Sequence, residues 1–212
     1  MMSVAQIEQY FTSTDGAYRF ARWGRPVVPV VFGVDDQTLP VIKGAIEAVV
    51  SLAAHKMADT DAELGANLML FFFSDWGELL SVPKLGEMIP DLNGVVSRLQ
   101  DQDASQYRAF RFDNTGAIQA CFMFIRMAGE MAKMPADTLA LGQAVQAILL
   151  WSDTGFAKQS PLAVLPENGA VILRPEIAAL IRGAYDPVMP PATDDKSHAL
   201  RLFARMGAAD DT

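Results

Sequence analysis

Apolar positions along the chain change period several times, and each change predicts an element. Val4, Ile7, Tyr10 and Phe11 share one face of an amphipathic helix over residues 1–15. The β-branched run 26–33, bounded by glycine and aspartate, predicts a strand. Ile42, Ile46, Val49, Val50 and Ala53 then recur at helical spacing over 39–57, with Lys43 and Glu47 opposite. Residues 67–73 are a continuous apolar run of strand length, suited to the middle of a sheet. Trp76, Gly77, Pro83 and Gly86 break 75–89 into short helical pieces. Asp91 caps a helix over 91–102. Strand-like segments 107–112 and 117–126 are joined by Asp113-Asn114-Thr115-Gly116, which predicts a hairpin.

The second half reads as mostly helical. Asp137, following Pro135, is the expected cap of a helix over 137–151. Residues 160–172 read as loop with one short strand. Pro175 opens a helix over 175–185, whose face is Ile177, Leu180, Ile181 and Ala184. Three prolines break the chain over 187–193. Asp194 or Asp195 then caps a last helix bearing Ala199, Leu202, Phe203 and Met206 on one face, and the last six residues are expected to fray. The order predicts a single α/β (α+β) domain over 1–193, with a C-terminal helix and tail over 194–212. A mixed sheet would carry 26–33, 67–73 and the hairpin around Asn114, packed by the helices at 39–57 and 137–151.

Composition narrows the function classes. A chain of 212 residues can bury a core without disulfides or metal. It is 51% hydrophobic, yet its longest apolar run, 68–73, is far short of the roughly 20 residues that a membrane-spanning helix needs. A net charge of −8 repels phosphate backbones and argues against a nucleic-acid partner. Arg19, Arg22 and Arg25 form the one local basic cluster, read as a solvated approach to a strand rather than a ligand clamp. Cys121 is the only cysteine and lies in the apolar run 120–125, which predicts a buried, inert thiol. The opening residues read as helix and not as a secretory signal. That implies cytoplasm if the chain is complete as it stands, and the periplasm if a signal has been trimmed.

The chemistry on offer is sparse. His55 and His198 lie in different helices and neither has a partner histidine one turn away, so a zinc-binding pair is missing and no metal site is expected. No Gly-x-Ser-x-Gly elbow occurs, and neither glycine-rich phosphate loop is present, so nothing calls for a cofactor. The carboxylate pairs Asp35-Asp36, Asp194-Asp195 and Asp210-Asp211 read as turn and cap residues. One segment departs from this pattern. Gln143 and Gln146, three residues apart, face the same way on the late helix, which leads into Trp151-Ser152-Asp153 and Ser160. They form either a polar strip lining a groove or the helix's solvent face.

The C-terminal third resembles an uncharacterised family of bacterial, mostly exported, proteins with a zincin-like pattern (domain of unknown function 2927). Gln146 to Asp153 (QAILLWSD) matches the second half of that family's late helix. Ser160-Pro161-Leu162 stands at its serine element, Ala184-Tyr185-Asp186-Pro187 at its Tyr-Asp-Pro ending, and Pro190-Pro191 at the start of its tail. The resemblance covers residues 139–193 and implies a zincin-like fold, with the late helix beneath an open cleft beside an edge strand. In a zincin that helix carries His-Glu-x-x-His. On this register the three places hold Gly142, Gln143 and Gln146, and a glutamine amide is no general base near neutral pH. The resemblance therefore implies a pseudoenzyme that binds a protein or peptide along a sheet edge, with Gln143, Gln146, Asp153, Ser160 and Tyr185 as groove residues. The alternatives are a hydrolase with an unrecognised non-zinc site and a structural envelope protein.

Overall fold

The computed structural model describes residues 2–208. Ser3 opens α1 (Val4–Phe11) with a capping box: its hydroxyl accepts from the Gln6 N–H at 3.3 Å, and its own N–H donates to Gln6 Oε1 at 2.8 Å. Next come β1 (Phe20–Ala21), β2 (Pro29–Phe32), α2 (Thr38–Leu52), β3 (Leu68–Phe73), a 3-10 turn over Trp76–Ser81, α3 (Leu85–Met88) and α4 (Leu92–Asp101). The hairpin β4 (Gln106–Phe112) and β5 (Ile118–Arg126) leads through a second 3-10 turn into α5 (Ala136–Ile148). The chain closes with β6 (Leu162–Val164), β7 (Val171–Leu173), α6 (Pro175–Ala184), β8 (Ala192–Thr193) and α7 (His198–Ala208).

The architecture is mixed α+β. The main sheet has the order β2-β3-β5-β4, with β2, β3 and β5 parallel and β4 antiparallel at one edge. The parallel β2–α2–β3 unit is the crossover that the sequence predicts. Both faces of the sheet are covered, which explains the unbroken apolar run of β3. Leu68, Leu70, Cys121, Met123 and Ile125 face α2, α5 and α6, whereas Phe71, Phe73, Phe122 and Phe124 face Trp76, Leu85 and α4. On the second face a ladder of stacked rings, Phe32–Phe71–Phe124–Tyr107, crosses all four strands with centroids 4.8, 5.2 and 6.1 Å apart.

Several boundaries differ from the expectation. The strand expected over 26–33 is confined to Pro29–Phe32: Val27 makes only an isolated bridge to Met57, and Gly33 ends the strand by turning the chain with φ +81°, where a Cβ would lie 1.9 Å from the Phe72 carbonyl oxygen. Asp137 does not cap α5: Pro135 holds that place, and Asp137 sits in the first turn, where its charge suits the helix dipole. α5 stops at Ile148, since Leu149 is extended and bridges to Arg22. Residues 160–172 contribute to two strands, β6 and β7, paired antiparallel. The proline-rich break contains β8, which pairs with β1. The last helix packs on α6 and α1, with Ala199 and Leu202 fully buried in the main core. Ala208 is still helical, and residues 209–212, on which most of the expected fraying falls, lie outside the described residues. Among the described residues no helix is long and apolar enough to cross a membrane.

Candidate functional site

The edge position of β4 leaves half of its backbone without a sheet partner. The Arg126 N–H donates to the Ser105 carbonyl at 2.9 Å, so Ser105 and every second residue after it turn toward β5. Gln106, Arg108 and Phe110 turn their N–H and C=O groups outward, where the sheet has no further strand among the described residues. Their side chains share the face that meets α5, while Tyr107 and Ala109 pack on the opposite face.

The α5 glutamines, which the sequence leaves open between a groove strip and a solvent face, meet β4 here. Gln143 is 3% exposed, so it is not on a solvent face. Its Nε2 donates to Gln106 Oε1 at 3.0 Å, while its Oε1 is buried without a partner among the described residues. Gln106 Nε2 reaches Gln146 Oε1 at 3.4 Å, and the Arg108 guanidinium donates to the same oxygen. The two glutamines thus tie the helix to the edge strand through Gln106 and Arg108.

A trough runs along this seam. A hollow of about 360 Å³ is lined by Gln106, Gly142, Gln143 and Gln146 on one side and by Ser160 to Val164 on the other. It continues past Gln146 into a hollow of about 410 Å³ that includes Arg108, Asp153 and Lys158. The helix forms the floor, β4 one wall and the start of the β6–β7 hairpin the other. A larger hollow of about 830 Å³ lies beyond the 154–159 loop, against α1, and contains none of the anticipated groove residues.

The structure brings together four of the five anticipated residues. Gln143 and Gln146 lie in the floor, and Ser160 lines both hollows, its hydroxyl accepting from the Leu162 N–H at 3.1 Å. Asp153 stands at the lip, held by the N–H and hydroxyl of Thr14. Tyr185 is elsewhere. Its ring is buried behind α5, its hydroxyl donates to the Ile148 carbonyl at 2.9 Å and accepts from the Trp23 N–H at 3.2 Å, and burial pushes its pKa up. The helix ending that matched the family's Tyr-Asp-Pro element is a brace for α5 and not part of the groove.

Two residues of the seam were missed in the sequence, Gln106 and Arg108. The available signal was an inward-pointing charge on an otherwise half-buried strand, a mark of a sheet edge. The arginine cluster disperses: Arg19 pairs with Asp15, Arg25 with Asp61 and Glu63, and Arg22 lies over the Tyr185 ring while donating to the Met189 carbonyl. His55 Nε2 donates to the Arg25 carbonyl at 2.8 Å, and His198 is buried against Tyr18, so neither histidine joins the trough. Among the described residues no three His, Cys, Asp or Glu side chains are grouped to hold a metal ion. No family model, curated protein or solved structure matches the chain.

Proposed function

We propose that the protein is a non-catalytic, zincin-like binding domain whose trough takes an extended peptide alongside β4. The carrying observation is the outward-facing backbone of β4, with Gln106 and Arg108 beside hollows that α5 helps to floor. An extended chain laid there gains main-chain hydrogen bonds from the edge, while its alternate side chains enter the hollow. The antiparallel edge strand lying along the glutamine-bearing helix supports the zincin-like part of the reading. The residues Gly142, Gln143 and Gln146 support the non-catalytic part: the glycine has no side chain, and the two amides offer neither an imidazole ligand nor a general base.

The experiment is a selection from a random-sequence peptide display library, followed by hydrogen exchange on the best complex. Protection of the Gln106, Arg108 and Phe110 amides on binding is the expected result. Protection confined to the larger hollow against α1, or no enrichment, would overturn the reading. A zinc ion bound at α5 in purified protein would overturn its non-catalytic part.

A further inference from the structure

The trough has an electrostatic end that the glutamine seam does not explain. Arg108 is half-buried, and desolvation lowers its pKa with no carboxylate opposing the effect. Among the described residues it forms no salt bridge, and its one side-chain partner is the neutral Gln146 oxygen. A guanidinium has five N–H donors in a planar fork, so most of them remain for a ligand. Lys158 lines the same hollow and also has no acidic partner among the described residues. Asp153, the one acid there, is already engaged by Thr14. On a chain of net charge −8, two unpaired cations therefore converge on one end of the trough. The other end is apolar, with Met131, Met134 and Leu139 lining the hollow.

We propose that Arg108, assisted by Lys158, receives a carboxylate of the bound peptide, with an apolar side chain of that peptide lying toward Met131 and Met134. A carboxylate matches the planar fork in a bidentate pair and replaces the water that a half-buried guanidinium lacks. The carboxylate is the peptide's C-terminus or an aspartate or glutamate side chain; both present the same group to Arg108. This inference rests on the trough being a peptide site, and it adds the chemical class and the direction of the ligand.

The test compares selected peptides in three forms: free C-terminus, C-terminal amide, and amide with every Asp and Glu replaced by Asn and Gln. Removal of the recognised carboxylate is expected to weaken binding at least tenfold, as charged hydrogen bonds of this kind do. Loss on amidation identifies the terminal carboxylate, and loss only in the third form identifies a side chain. Arg108→Gln is expected to erase the difference between forms. The ligand-side comparison needs no variant, so it stands even if Arg108→Gln folds poorly. Equal binding of all three forms overturns the carboxylate proposal and leaves the edge-strand reading intact. If no peptide is enriched, N-acetyl-leucine is titrated against N-acetyl-leucinamide while the Arg108 Nε–H signal is followed by NMR. A shift with the acid alone supports the carboxylate site although the peptide reading has failed, and no shift overturns both.

Discussion

Arg108 on β4 and Gln146 on α5 meet across the seam between sheet edge and helix, the guanidinium donating to the amide oxygen. Both residues line the second hollow of the trough, whereas Gln143, one turn back, is buried against Gln106. Reading both glutamines as groove floor predicts that replacing them leaves stability nearly unchanged. The burial of Gln143 alters that expectation. Gln143→Ala removes the donor to Gln106 and leaves a buried gap, and is expected to cost on the order of 1–3 kcal/mol. Gln146→Ala, at the trough, is expected to stay within about 1 kcal/mol and to weaken peptide binding instead. Denaturant midpoints of the two variants check this, and equal costs would contradict the placement of Gln143.

Gly142 keeps the floor of the trough open. A Cβ there would meet only Leu162 Cδ1, at 3.7 Å, an ordinary contact. Gly142→Ala is therefore expected to raise stability by about 0.5–1 kcal/mol, the usual gain for alanine over glycine inside a helix. Gly142→Phe projects a ring across the same hollow and is expected to abolish peptide binding while the protein stays folded. Unchanged binding by the folded Gly142→Phe protein would remove the trough from the mechanism.

Cys121 is fully buried, and burial pushes its thiol up to about 12, with nearby Arg108 opposing the rise. The thiolate is thus scarce at neutral pH. A thiol reagent is expected to label the native protein slowly and the denatured protein fast. Native labelling as rapid as in denaturant would mean that the strand opens.

His198 is 2% exposed beside Tyr18, and burial, helped by Arg201, depresses its pKa to about 4. In the unfolded chain the ring titrates near its ordinary value of about 6.5. Above that value both states are neutral, and His198 contributes no pH dependence. As the pH falls from about 6.5 toward 4 only the unfolded state takes up the proton, so stability is lost across this window, by on the order of 3 kcal/mol. His198→Gln is expected to remove that part of the slope in denaturation curves measured at pH 7 and pH 5. An undiminished slope would assign it to other groups.

Ile148 ends α5 with its side chain 2% exposed in the main core. Ile148→Ala is expected to destabilise by about 2–5 kcal/mol, the range for emptying a buried branched side chain. An unchanged midpoint in urea would mean that this turn of helix packs loosely.

Much of the architecture was legible in the chain because it rests on local period. The helical spacing of Ile42, Ile46, Val49 and Val50 reappears as the buried face of α2, and the unbroken run of β3 as a strand covered on both faces. The Asp113 turn and the Asp91 cap also act as read: Asp91 accepts from the Gly94 N–H at 3.3 Å, and the Asp113 N–H donates to the Ala117 carbonyl at 3.0 Å. Each depends on residues a few positions apart. Of the short pairs β1–β8 and β6–β7 only a single strand within 160–172 was legible, since strands of two or three residues have no period to show.

The sequence by itself determined which residue types stand on α5, a glycine at 142 and amides at 143 and 146 with no histidine in the helix. Only the tertiary structure decided what those residues face. Strand order makes β4 an edge and sets Gln106 and Arg108 against α5, across 37 to 40 positions of chain. The same packing sends Tyr185 behind the helix, where its hydroxyl holds the Ile148 carbonyl. Helical spacing says which side chains share a face. Which face looks onto a cleft depends on the long-range pairing of β4 with β5 and on the hairpin that closes the far wall, and neither is encoded within one turn of helix.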